Sequence, residues 1–251
     1  MILGLQILIG VLALATISIL VWVLSGKHKS FDPLESENRG DFILGRFLRD
    51  WFYWFVDPLR RFAILIGMGP LSFNLLGVLF GILSGVAFAT GHLALGGWSI
   101  LLGGIADVLD GRIARSLGIA DKRGAFLDSA LDRFAEVGMF CGLVYLFRDS
   151  EAGLLFAVTG LGGSLLVSYT RARGESLGVS CKLGLMQRAE RLLLVGFGGI
   201  LDPTVSALWG SGQGFGRLLI PLLGAMSFGT IGTSIFRTFW IARQLKKESS
   251  L

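Results

Sequence analysis

Long stretches of this chain hold no charged side chain. Residues 2–24, 71–89 and 154–170 contain no Asp, Glu, Lys or Arg. About 20 apolar residues suffice for a helix to cross the hydrocarbon core of a bilayer. Only 16% of the 251 residues are charged, against about 25% in a soluble domain. The apolar runs are continuous, not alternating, which argues against a transmembrane β-barrel. The 37 glycines suit helices that approach closely in lipid. The fold class expected is therefore an all-α, multi-pass membrane protein.

The runs order as follows. Residues 2–24 form a first span, retained rather than cleaved, because no charge precedes it. Residues 41–68 mix aromatics with Arg46, Arg49, Arg60 and Arg61, the pattern of an amphipathic helix lying in the interface. Pro58 is expected to break or re-aim that helix. Six core spans follow, near 71–89, 98–115, 124–147, 154–170, 185–200 and 218–240. A loop is expected at 202–216, with Pro203 in it. The division expected is 1–26 as an added span, 27–69 as linker and interfacial helix, 70–245 as the catalytic bundle and 246–251 as a tail.

The net charge is +5, yet nucleic acid is not the partner expected. The basic residues cluster near 27–61, 112–123, 171–191 and in the tail, while the alternate connections hold almost none. This is the asymmetry of cytoplasmic loops, and it points to membrane lipids and phosphorylated substrates as partners. It sets the N-terminus outside and the C-terminus in the cytoplasm. Cys141 and Cys181 lie in different environments, so no disulfide is expected, and neither has a His or Cys at metal-ligand spacing. His28 and His92 fall in expected loops and are not read as catalytic.

One stretch, residues 107–132, carries chemistry. Asp107, Asp110, Gly111 and Ala114 recur at i, i+3, i+4 and i+7, which is one face of a helix. Gly124, Asp128 and Asp132 recur at i, i+4 and i+8 on a second helix. Ionisable groups beside membrane spans are costly and usually mark function. Four crowded carboxylates repel one another unless cations or protons intervene. Clusters of this kind select hard divalent cations such as Mg²⁺.

The spacing Asp107-x2-Asp110-Gly111-x2-Ala114-Arg115-x8-Gly124-x3-Asp128-x3-Asp132 resembles the signature of the CDP-alcohol phosphotransferase family. The resemblance covers the chain from Pro70 to the last apolar run. It implies a six-helix transmembrane bundle, a homodimer, a prokaryotic plasma membrane and Mg²⁺ or Mn²⁺ as cofactor. It implies transfer of a substituted phosphate from a CDP-linked lipid to a second alcohol, with release of CMP. Asp107, Asp110 and Asp128 are the metal ligands expected. Asp132 stands beside them as the fourth carboxylate of the metal site, and the resemblance implies that it is the general base. Gly111, Ala114 and Gly124 would leave room for cytidine and diphosphate. Arg115 would contact phosphate, or only cap the span. Pro70 and Asn74 match a segment that helps to hold the nucleotide.

A second pattern, Tyr169-Thr170-Arg171-Ala172-Arg173-Gly174-Glu175, then Gly184 and Arg188-Ala189-Glu190-Arg191, is similar to that of the phosphatidylinositol-phosphate and archaetidylinositol-phosphate synthases. Arg171, Arg173, Lys182, Arg188 and Arg191 are the acceptor-binding residues expected. Converging guanidinium groups suit a phosphomonoester such as inositol 1-phosphate. Glycerol 3-phosphate and serine are the alternative acceptors. A cation carrier is the alternative of another class. Its acids would be expected near the bilayer midplane, whereas these sit at span ends beside basic loops.

Overall fold

The computed structural model describes residues 2–26, 45–181, 183–209 and 214–248. Among them, the regular structure is entirely helical: α1 (Ile2–Leu24), α2 (Gly45–Leu65), α3 (Pro70–Ala89), α4 (Leu93–Ser116), α5 (Lys122–Leu146), α6 (Glu151–Ser176), α7 (Arg188–Leu208) and α8 (Leu219–Glu248). Helices α3, α4, α6, α7 and α8 are long and apolar enough to cross a membrane. Helix α5 carries the second half of the acidic motif and more charge than those five. It packs along α3 and against α6.

Helix α3 shows why these elements belong in lipid. Leu71, Leu75, Leu79, Ile82, Leu83 and Val86 are exposed at helical spacing, so one face is apolar outward. Phe73, Gly81, Ser84, Gly85 and Phe88 are buried on the other. A helix apolar on both faces has no aqueous side. The inward face works by smallness: a Cβ on Gly142 would run into the carbonyl of Gly85, and one on Gly85 into that of Gly138. A Cβ on Gly97 would likewise strike the carbonyl of Gly196. These contacts seat α3 on α5 and α4 on α7 at backbone distance. Buried hydroxyls add interhelical bonds, Ser84 Oγ to the carbonyl of Gly96 and Ser227 Oγ to that of Phe156. The central cluster of Phe88, Ile100, Met139, Phe140, Leu143, Val195 and Met226 fills the remaining space.

Several expected boundaries are corrected. Helix α4 begins at Leu93 rather than near 98, because Gly96 and Gly97 pack inside the bundle instead of forming a turn. Helix α6 runs on to Ser176, and α8 through the expected tail to Glu248. Helix α7 continues through Pro203 to Leu208, where a loop was expected. The reason is Asp202, which is fully buried. Its carboxylate accepts from the backbone N–H groups of Gly216, Leu218 and Leu219 and from Ser206 Oγ. These bonds satisfy the open N–H groups at the start of α8 and hold the end of α7 in helical form against it.

Helix α2 also continues through its proline, Pro58. It is tied to α4 on both sides of that residue, by the Tyr53 carbonyl and the Asp57 carboxylate before it and by Arg60 after it. Helix α1 does not stand apart. Trp22 is buried with its ring 5.2 Å from that of Phe47, and Trp51 Nε1 donates to Ser18 Oγ at 3.0 Å. His28 lies outside the described residues, and Cys141 and Cys181 are free thiols.

The Gly85–Gly142 crossing sets the spacing of α3 and α5. Gly142→Val is expected to destabilise the fold by at least about 1–3 kcal/mol, the typical effect of overpacking. Thermal unfolding in detergent measures it, and an unchanged melting temperature would show that the two helices are not held at this distance.

Candidate active site

The first half of the motif forms the last turns of α4, and the second half the first turns of α5. The chain reverses between them at Gly118, whose φ of +66° suits a residue without a Cβ. Asp121 then caps α5, accepting from the N–H of Gly124 at 2.7 Å. That bond fixes where α5 starts, and so which of its residues face α4. Gly124 itself is exposed at this turn.

The result is a carboxylate cluster. One oxygen from each of Asp107, Asp110 and Asp128 lies within 4.8 Å of the others. Asp107 and Asp128 are half-buried, and Asp110 is buried. Asp110 Oδ2 has no hydrogen-bond partner among the described residues. A buried acceptor without a donor is costly, and a hard cation with oxygen ligands would satisfy it. Of the four carboxylates expected at the metal site, Asp107, Asp110 and Asp128 are the ones that lie together in this way.

Asp132, one turn further along α5, does not belong to that triad. It is joined to it by Arg188, the first residue of α7, whose Nη1 lies 2.6 Å from Asp107 Oδ1 and whose Nη2 lies 2.6 Å from Asp132 Oδ1. Arg191, one turn on, bonds Glu136 Oε1 at 2.6 Å and donates to the Met186 carbonyl. Arg191 and Glu136 are each only 2% exposed. Arg191 is therefore enclosed in the bundle and does not share an open surface with the other expected acceptor residues. Arg171 and Arg173 are exposed in the last turns of α6, and Arg171 pairs with Glu175 at 2.9 Å. Lys182 lies outside the described residues.

Of the expected nucleotide residues, Gly111 and Ala114 are half-buried on α4 and Arg115 is exposed. Pro70 and Asn74 open α3, which runs antiparallel to α4, with Gly77 beside Gly103 and Gly96 beside Phe88. Their end of α3 therefore lies on the motif side of the bundle. Asn74 Nδ2 donates to the Pro70 carbonyl.

Two groups around the site are absent from the sequence reading. Glu136 continues the row Asp128, Asp132 by four residues, and its charge within an apolar run was the available signal. The other is the clamp on Arg112. Its guanidinium lies 5.0 Å from the Tyr53 ring centroid, donates to the Tyr53 carbonyl and bonds Asp57 Oδ1 at 3.3 Å. Arg60 Nη1 reaches Ser116 Oγ at 2.7 Å. Helix α2 thereby grips the final turn of the motif helix.

Comparison with known proteins follows this geometry. A family model described as CDP-alcohol phosphatidyltransferase matches residues 70–211. A phosphatidylinositol phosphate synthase of Streptomyces avermitilis is 32% identical over 216 residues, covering 82% of this chain and 85% of that protein. An archaetidylinositol phosphate synthase of Methanothermobacter thermautotrophicus is 36% identical over 141 residues, covering 56% of this chain and 69% of that protein. The crystal structure of the Mycobacterium tuberculosis phosphatidylinositol phosphate synthase with CDP-DAG bound superposes with a TM-score of 0.63 at 26% identity, covering 73% of this chain and 92% of that one.

The α2 clamp is pH-sensitive in one direction. Burial by itself would raise the Asp57 pKa, but hydrogen bonds from Arg60 and Arg61 and the charge of Arg112 outweigh it and hold it below the usual carboxylate value. A depressed folded-state pKa stabilises the fold above the unfolded pKa of about 3.9, and that stabilisation is lost as pH falls through the folded value. Asp57→Asn is therefore expected to melt below wild type at pH 7, with the gap closing below about pH 4. A gap of equal size at both ends of a melting series would refute the linkage.

Proposed function

The chain belongs to the CDP-alcohol phosphatidyltransferase family, and within it we propose a synthase that transfers a phosphatidyl group from CDP-diacylglycerol to inositol 1-phosphate, releasing CMP. It is a multi-pass integral membrane phosphotransferase. The observation that carries the reading is the junction of the carboxylate triad with Asp132 and Arg188 at one end of the bundle.

The family's reaction depends on a divalent metal ion. Asp107, Asp110 and Asp128 would hold it, and when bound it neutralises and orients the donor diphosphate. Gly111, Ala114 and Gly124 leave the space beside the carboxylates open for the nucleotide, with Pro70, Asn74 and Arg115 at its margin. Asp132 accepts the proton of the attacking acceptor hydroxyl. The acceptor oxygen forms a new bond to the phosphatidyl phosphorus as the bond from that phosphorus to the CMP oxygen breaks. CMP leaves with the electron pair of that bond.

The acceptor assignment is supported by the names of the relatives in Streptomyces and Methanothermobacter and by the arginines near the site. Arg188 is adjacent to the base, and Arg171 and Arg173 present guanidinium groups at the end of α6. Arg191 serves by holding α7 through Glu136, and Lys182 completes the basic segment. Such groups suit a phosphomonoester.

The motif end of the bundle faces the cytoplasm of a prokaryote, with the N-terminus outside, as the distribution of Lys and Arg supports. The protein forms a homodimer. Residues 70–245 form the catalytic unit, preceded by the added span 1–26 and the linker with interfacial helix 27–69. Residues 246–251 form a tail that α8 enters as far as Glu248.

The test is CMP release from CDP-diacylglycerol by purified protein with Mg²⁺ or Mn²⁺ and one acceptor at a time. Release is expected with inositol 1-phosphate and not with glycerol 3-phosphate or serine; the reverse pattern overturns the acceptor. Asp132→Asn is expected to lower turnover by at least about 100-fold, the range for a lost general base, while binding of CDP-diacylglycerol persists. Wild-type turnover in that variant would remove Asp132 from its role.

A further inference from the structure

Arg188 is placed unlike any other cation of the site. Its two terminal nitrogens bridge two carboxylates that serve different ends, Asp107 of the triad and Asp132, each at 2.6 Å. Its Nε is buried with no hydrogen-bond partner among the described residues. Arg191, three residues on, is locked at 2% exposure between Glu136 and the Met186 carbonyl, whereas Arg188 remains 22% exposed. The two arginines thus make two rungs between α5 and α7, one enclosed and one open. The open rung is the first residue of α7 and follows a non-helical segment in which Gly178 and Gly184 both have positive φ.

A guanidinium on Asp107 and a divalent cation among Asp107, Asp110 and Asp128 are like charges on one carboxylate. In a partly buried site they repel more strongly than in bulk water. We propose that Arg188 is the site's own counter-ion, bridging Asp107 and Asp132 until a divalent cation takes the triad, and that the guanidinium so displaced binds the phosphate of the acceptor. This rests on the reading of Arg188 as an acceptor-binding residue. The bridge offsets the repulsion between Asp107 and Asp132. Its release frees Asp132 Oδ1 to accept the hydrogen of the acceptor hydroxyl, and supplies a cation for the acceptor's phosphate. Cation and acceptor therefore raise each other's affinity by the same factor.

The experiment uses the purified full chain and has two arms. In the first, Mn²⁺ binding is measured from the EPR signal of free Mn²⁺, with no nucleotide or acceptor present. Arg188→Gln is expected to bind Mn²⁺ about tenfold more tightly than wild type, within the usual range of coupling. Arg188→Lys keeps the charge but not the planar fork, and is expected to fall between them; it also decides the question should the Gln variant fail to fold. Mn²⁺ affinity that is unchanged or weaker in the folded variants overturns the counter-ion role. In the second arm, binding of inositol 1-phosphate is followed by calorimetry with and without Mn²⁺. Wild type is expected to gain about tenfold from Mn²⁺, and Arg188→Gln to lose that gain. A gain that persists in Arg188→Gln overturns the coupling. Failure of inositol 1-phosphate to bind wild type under either condition overturns the acceptor reading instead, and the first arm still decides the counter-ion role.

Discussion

Charge neutralisation between α4, α5 and α7 is the constraint on which the rest of the structure depends. Five acids and three arginines, Arg133, Arg188 and Arg191, meet there, at the end of helices whose other faces are apolar. A buried charge is tolerated only when it is paired and hydrogen-bonded. Arg191 answers Glu136, and Arg188 answers Asp107 and Asp132. Asp110 Oδ2 is left over, and it belongs to the triad that fits a cation. With the three arginines counted, the excess is two negative charges, and it falls where a divalent metal ion would offset it. That residual imbalance is what makes it a site rather than a structural ion-pair network.

Holding such a cluster in register requires rigid helices at fixed spacing. The glycines supply the spacing, because Gly85 with Gly142 and Gly97 with Gly196 let backbones touch. The two ends of the bundle are fastened by opposite means. Away from the motif, the single carboxylate of Asp202 gathers the first N–H groups of α8. At the motif end, α2 fastens the last turn of α4 through Tyr53, Asp57 and Arg60. The contrast follows from what each end does. A capped, fully buried junction suits a fixed end, whereas the motif end must admit a lipid-linked nucleotide.

Much of this was legible in the sequence, for local reasons. Apolar runs and the i, i+3 and i+4 spacing of the aspartates depend only on helix geometry, so the helical class and the triad could be read directly. The ends of helices were less legible, because tertiary bonds decide them. Pro58 and Pro203 are helix breakers by propensity, yet both lie inside helices whose flanking residues are held by partners distant in sequence. Gly96 and Gly97 look like a turn and are instead a packing surface. The same limit applies to the arginines. Arg188 and Arg191 share a helical face by spacing, and nothing local distinguishes them. Glu136, more than 50 residues away, takes one of them into the bundle and leaves the other at the site.

That difference bears on how one fold can carry one reaction with different acceptors. The triad and Asp132 are presented by α4 and α5, which the central glycine contacts and apolar cluster hold in place. The groups suited to an acceptor come from α6, from the segment after it and from the first residue of α7. Of these, among the described residues, Arg188 is the one with ion pairs to the acidic motif. On the proposed reading, changes in the α6–α7 segment would alter acceptor recognition without disturbing the carboxylates, provided that position 188 is kept. On the acceptor reading proposed above, Arg188 is where the two functions meet. The Glu136–Arg191 pair, enclosed in the bundle, is the fixed point from which Arg188 is held over Asp107 and Asp132.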